Sequence, residues 1–253
     1  MKPLPRTYDA VFEAELSVPV EFARALAWNE SGMNPRNKTG SYWGLFQVGP
    51  ENVADYNRAN GTTFTHDDML DPQANARVWS WESERIRAML AAHGLVEDWN
   101  SRDYVSLVTA GWNSGWSNTA GVGYMLGWLR AHKLPLTHDN VFKYGKQAGA
   151  VWSLQSGNSK AAAKYRWQRD TAAYYAAERA AAGDGNILGN LAHWATKRIP
   201  VETLRPPGTA TSAPLVASQA TPLPEPSAAQ GAVAGKGGGM LWLLLFGLVA
   251  MED

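Results

Sequence analysis

The 253-residue sequence contains no cysteine. That excludes disulfide staples, thiolate nucleophiles and cysteine-ligated zinc or iron–sulfur centres. It also has no excess of either charge: 23 Lys and Arg face 23 Asp and Glu, so the formal net charge is zero. Nucleic-acid binders ordinarily show a basic excess, so no nucleic-acid partner is expected. The opening stretch MKPLPRTYDAVFEAELS lacks an apolar run of about 7–15 residues, so no N-terminal signal peptide is expected. Gly121-Val122-Gly123 and Gly127 imitate a phosphate loop, but no strand signal precedes them and no Lys-Ser/Thr follows. His66, His93, His132, His138 and His193 form no i,i+4 pair, so no metal site is expected. Gly-x-Ser-x-Gly is absent, which argues against a serine hydrolase. No cofactor is implied.

What remains is a chain with 45% apolar residues, enough to bury a core. Tryptophan is abundant: of twelve, eleven precede residue 200. They suit core packing, and they also suit a groove for flat, polyhydroxylated rings such as sugars. Seven of the fourteen prolines fall between Pro200 and Pro226, among Ala, Ser and Thr. This composition reads as a disordered linker, part flexible and part extended. The chain is therefore expected to divide into a domain over 1–199, a linker over 200–239 and a hydrophobic tail over 240–251.

The first 199 residues read as helical, with little strand signal. Val18, Phe22, Ala25 and Leu26 share one helical face, Pro19 and Glu21 suit its first turn, and Gly32 and Pro35 supply its stop. Asp71-Pro72 reads as an N-cap followed by proline at the first helical position. That helix is expected to run through Trp79, Ile86 and Leu90 to Gly94. Ser101 is expected to cap a helix carrying Val105, Leu107, Val108 and Trp112. Further helices are expected over 122–132, 137–154, 159–182 and 187–197. The stretch over 160–179, with Tyr165, Trp167, Tyr174 and Tyr175, reads as a long amphipathic helix packed on the rest. Between Asn34 and Gln47 the chain reads as loop or a short hairpin.

Glu30 falls in the last turn of an apolar helix, where the negative end of the helix dipole disfavours a carboxylate. Trp28 and nearby aromatics would desolvate it further. A carboxyl kept protonated near neutral pH is what a general acid needs to protonate a glycosidic oxygen. A solvated helix-end glutamate is the plainer reading of the same residue.

Several blocks follow one another in order: Glu30-Ser31-Gly32-Met33-Asn34-Pro35, Gly44-Leu45-Phe46-Gln47, Asp71-Pro72 with Asn75, and Ala110-Gly111-Trp112-Asn113-Ser114-Gly115. Their order and spacing over roughly residues 9–120 resemble the soluble lytic transglycosylase family, which has a lysozyme-like fold. The resemblance implies a mostly α, lysozyme-like α+β domain that cuts the bond between N-acetylmuramic acid and N-acetylglucosamine in peptidoglycan. It implies that Glu30 is the catalytic acid and later the base. Ser31 would hold the sugar or its N-acetyl group, Phe46 and Gln47 would line the groove, and Asn113 would pack near the acid. Three positions depart from the family pattern. Phe46 replaces a common Met and keeps an apolar wall. Ser114 replaces the usual Ala. Trp112 replaces a Tyr whose hydroxyl would reach the acid, a role an indole N–H is able to take.

From Ser31 to Pro50 there is no Asp or Glu. Ordinary glycosidases use two carboxylates. Goose-type lysozymes, similar in the Gly-Leu-x-Gln block, carry acids in the preceding loop and just after the Gln. Here the loop reads Asn37-Lys38-Thr39-Gly40-Ser41, and Gly49 follows Gln47-Val48. This favours the family's one-acid, substrate-assisted reaction, in which the sugar's own 6-hydroxyl closes a 1,6-anhydro ring. Glu51 and Asp55 are the nearest acids that would serve a hydrolytic, goose-type-like alternative. A non-catalytic wall-binding protein of a virion or envelope is the rival from a different class.

Residues 240–251, MLWLLLFGLVAM, would span about 18 Å as a helix, against a hydrocarbon core of about 30 Å. Three readings stand: a short membrane anchor, a peptide docking into a hydrophobic protein partner, and a disordered end. A wall-cleaving domain without a leader suits a phage particle, especially one containing a membrane, or a conjugation or secretion apparatus. The expected location is therefore virion-associated or membrane-anchored.

Overall fold

The computed structural model describes residues 3–182, and these are mostly helical. The expected helix over 187–197, the linker over 200–239 and the tail over 240–251 lie outside the described residues. Among the described residues are eight α-helices and one two-stranded hairpin: α1 (Asp9–Glu15), α2 (Val20–Ser31), β1 (Lys38–Thr39), β2 (Tyr42–Trp43), α3 (Pro50–Asn60), α4 (Pro72–Ala92), α5 (Arg102–Ser114), α6 (Val122–Ala131), α7 (His138–Ala148) and α8 (Ser159–Ala182). Single 3₁₀ turns occupy Asp67–Leu70 and Trp152–Leu154. None of the described helices is long and apolar enough to cross a membrane.

The helix ends follow from local chemistry. Pro19 precedes α2, and Gly32 closes it in the left-handed conformation. The Asp71 carboxylate accepts from the backbone N–H groups of Gln73 and Ala74, with Pro72 inside the first turn of α4. Ser101 caps α5 by accepting from Tyr104 N–H. The hairpin is antiparallel, pairing Lys38 with Trp43 and Thr39 with Tyr42.

One expected helix is broken. The sequence suggests a continuous helix over 137–154, but α7 stops at Ala148 and the chain turns back as the 3₁₀ turn Trp152–Leu154. Gly149 takes φ +76°, a region other residues rarely adopt, and Ala150 N–H closes on Gly145 O at 2.9 Å. Two short helices, α1 and α3, form where no helix is expected. Each buries little: Phe12 from α1, Val53 and Tyr56 from α3.

The core is built on aromatic rings from successive elements. Phe46 stacks on Trp79 at 4.4 Å and meets Phe12 at 5.5 Å. Phe22 of α2 touches Trp79, Trp99 and, edge-on, Tyr175 of α8. The helix α8 lies across α2 and α5, and this places the C-terminal turns of α2 and α5 side by side beneath it.

Candidate functional site

Glu30 sits one residue before the end of α2. The residue keeps part of its surface open to solvent, yet its carboxyl is desolvated. Burial pushes its pKa from 4.5 up to about 8. Two neighbours pull the other way. They are the Lys164 ammonium, by charge, and the Trp112 side chain, by a hydrogen bond. Glu30 is therefore mostly protonated at neutral pH and able to ionise just above it. Trp28, the neighbour expected to desolvate Glu30, is 37% exposed. The indole at the carboxyl belongs to Trp112 of α5.

The end of α5 is pinned from α8. Lys164 Nζ donates to the backbone carbonyl of Asn113 at 2.9 Å. Gln168 Nε2 donates to Ser114 Oγ at 3.1 Å and to Asn113 Oδ1 at 3.4 Å. The end of α2 is pinned by the same helix. Asn29 Nδ2 donates to Thr171 Oγ1 and to the Trp167 carbonyl, and Trp167 Nε1 returns a bond to the Asn29 carbonyl at 3.3 Å. Glu30 and Trp112 thus come together where α8 clamps the two helix ends, while the Asn113 side chain is taken by Gln168.

Ser31 follows Glu30, and its hydroxyl donates back to the Ala27 carbonyl at 2.9 Å. Phe46 is fully buried between Trp79 and Phe12, so its ring faces the core and does not line a surface groove. Apolar stacking at this position explains the placement: an aromatic ring reaches Trp79 from the loop after β2. Gln47 is also buried, with φ +53°. Its amide donates to the Gly44 and Asn37 carbonyls, reaching the loop that follows Glu30.

Asn75 accounts for the spacing between the Gly44–Gln47 block and Asp71-Pro72. Its side chain is wholly buried, accepts from Phe46 N–H at 2.9 Å, and donates to the Trp43 and Met69 carbonyls. Gly44 lies so close that a Cβ there would sit 2.2 Å from the Asn75 amide nitrogen. The block is therefore a pinned loop whose conformation depends on Asn75.

No acid contributes to the Glu30 titration among the described residues. Asp55 pairs with Arg58 at 2.7 Å. Glu51 lies against the Gly49 backbone and near Tyr42. Among the described residues no cluster of three or more His, Asp or Glu is arranged to hold a metal.

Two members of the site escape the sequence reading. Lys164 is one. Trp152 is the other, a 41% exposed ring whose centroid lies 5.7 Å from Lys164 Nζ. A signal for Lys164 exists in the sequence. Lys164, Gln168, Thr171 and Glu178 recur at helical spacing with Ala161, Ala172 and Tyr175, so α8 presents a polar stripe to the protein. Compared with protein-family models, curated proteins and solved structures, the chain matches none.

Proposed function

We propose that this chain is a peptidoglycan lytic transglycosylase with a lysozyme-like domain, and that Glu30 is its acid and base. The observation that carries the reading is Glu30: a residue with part of its surface open to solvent, whose desolvated carboxyl has its pKa pushed up to about 8. In this reading Glu30 donates its proton to the glycosidic oxygen between N-acetylmuramic acid and N-acetylglucosamine. The substrate's N-acetyl group stabilises the sugar C1. The Glu30 carboxylate then takes the proton of the 6-hydroxyl as that oxygen closes on C1, giving a 1,6-anhydro ring. The proton count closes on Glu30, and no water is consumed.

The charges around Glu30 support one acid over two. A second carboxylate at the retaining distance of about 5–5.5 Å would raise the Glu30 pKa by repulsion. The one charged group acting on it is a cation. Trp112 supplies the donor that orients the carboxyl, and the exposed Trp152 offers a flat apolar face near the site. Peptidoglycan strands are the proposed substrate. A virion or membrane-anchored location, with residues 240–251 engaging a membrane or hydrophobic partner, belongs to the same proposal.

The test is mass spectrometry of fragments released from purified peptidoglycan by the full chain and by Glu30→Gln. Anhydro-muramic ends from the wild type, absent with the variant, are the expected result. Reducing ends, heavier by one water, would reassign the chain as a lysozyme. Binding without release by either protein would reassign it as a wall-binding structural protein.

A further inference from the structure

Helix α8 brings a lysine to the site from more than a hundred positions away in the chain. Lys164 is half-buried, and its ammonium donates to the carbonyl of Asn113. That carbonyl is in the last turn of α5, where backbone acceptors lack helical partners and the helix dipole is negative. The next residue back along α5 is Trp112, the hydrogen-bond partner of Glu30. The same ammonium acts on Glu30 itself.

We propose that Lys164 is a positioning residue for Glu30: it caps the end of α5 that carries Trp112, and it is the cation that faces the Glu30 carboxyl. This rests on the reading of Glu30 as the acid and base. The elements packed against α8 around Lys164 present few alternatives. Charge from α2 comes from Glu30. The end of α5 presents the Asn113 carbonyl and the Trp112 indole, both uncharged, and the 3₁₀ turn Trp152–Leu154 presents the Trp152 ring. Arg169, farther along α8, is engaged by Asp139 and Asp103 instead.

The arrangement has a chemical use. Desolvation alone makes a carboxyl a reluctant base, because the ionised form is penalised. A facing cation offsets part of that penalty, so one group is able to give a proton and take one back near the same pH. Desolvation of Lys164 lowers its own pKa, and Glu30 pulls it back up, so each group favours the other's charged form and offsets part of the other's desolvation.

The experiment is a carbon-detected titration of side-chain carboxyls in the full chain. The Glu30 signal is assigned by its loss in Glu30→Gln. Lys164→Met is expected to move the Glu30 midpoint up from about 8 by about one unit. Lys164→Arg, which keeps the charge, is expected to leave it within a few tenths. Reciprocally, the Lys164 side-chain amine is expected to titrate lower in Glu30→Gln than in the wild type. A folded Lys164→Met protein with an unmoved Glu30 midpoint would overturn the proposal. If Lys164→Met does not fold, the Glu30→Gln arm decides, and an unmoved lysine overturns it. Both arms read titration, so their failure is distinct from failure of the function: a wild type that releases no fragments removes the role of Glu30 but leaves the coupling measurable.

Discussion

The two sides of helix α2 are held by different forces. On one side Phe22 meets Trp79, Trp79 stacks on Phe46, and Phe46 meets Phe12. On the other side α8 adds polar fastenings to the edge contact of Tyr175 with Phe22. Arg24, 2% exposed, is ringed by Asp9, Glu21 and Glu178 at 2.8, 3.5 and 3.2 Å. Asn29 is gripped by Trp167 and Thr171, and Gln168 joins His138 to the end of α5. Apolar packing is non-directional and tolerates small shifts, so it fixes the frame of the domain. Hydrogen bonds and buried ion pairs demand one register, so they fix how α8 sits over Glu30. They also include Asp9 and His138, whose pKa values burial shifts away from the ordinary ones.

The largest effect expected from breaking this contrast is on the aromatic side. Trp79→Ala removes a ring 1% exposed and should cost about 3–5 kcal/mol in chemical denaturation. Glu178→Ala leaves Arg24 with Asp9 and Glu21, and deprives Leu4 N–H of its acceptor. It should cost about 2–4 kcal/mol, close to the penalty for breaking a buried pair. Fragment release should fall with it, because α8 clamps the site. Gln168→Ala strands the buried His138 ring and should cost about 1–3 kcal/mol. An equal loss from charge-neutral changes on both sides would dissolve the distinction.

Acid sharpens it. Burial holds His138 down at a pKa of about 4, below its ordinary 6.5. The folded state therefore resists protonation that the unfolded chain accepts. Stability from this group is present above pH 6.5 and is lost as pH falls toward 4. On acidification to pH 5, amide protection, taken relative to the intrinsic exchange rate at that pH, should fall in α8 before α4. Glu30 works in the opposite direction. Its folded pKa is raised, so the fold loses stability as pH rises from about 4.5 to about 8. Glu30→Gln should raise the melting temperature at pH 9 and change it little at pH 4. A variant stabilised equally at both pH values would mean that Glu30 is not desolvated.

The same contrast explains what the sequence discloses. The helix ends at Gly32, Asp71-Pro72 and Ser101 are chemical signals, readable one residue at a time. The helices α1 and α3 have too few buried residues to show a stripe, so they pass unseen. Glu30 and Trp112 are legible because their blocks are local, and the structure brings these two side chains together. Phe46 is legible as apolar but not as core, since only Trp79 and Phe12 reveal which way it faces. Lys164 is invisible to apolar periodicity because the face of α8 that packs inward mixes Gln168, Thr171 and Glu178 with Ala161, Ala172 and Tyr175. A search for polar residues at helical spacing finds what a search for hydrophobic ones misses.

The clamp between Asn29 and Trp167 joins positions 138 apart in the chain. Contacts of such long separation form late, since loop closure must come before they are rewarded. Until α8 arrives, the end of α2 is open to water, and Glu30 there is an ordinary ionised carboxylate with no proton to give. The raised pKa arrives with α8. Under the proposed function, a domain without α8 in place would lack its protonated acid, and readiness for acid chemistry would belong to the assembled helices and not to Glu30 alone.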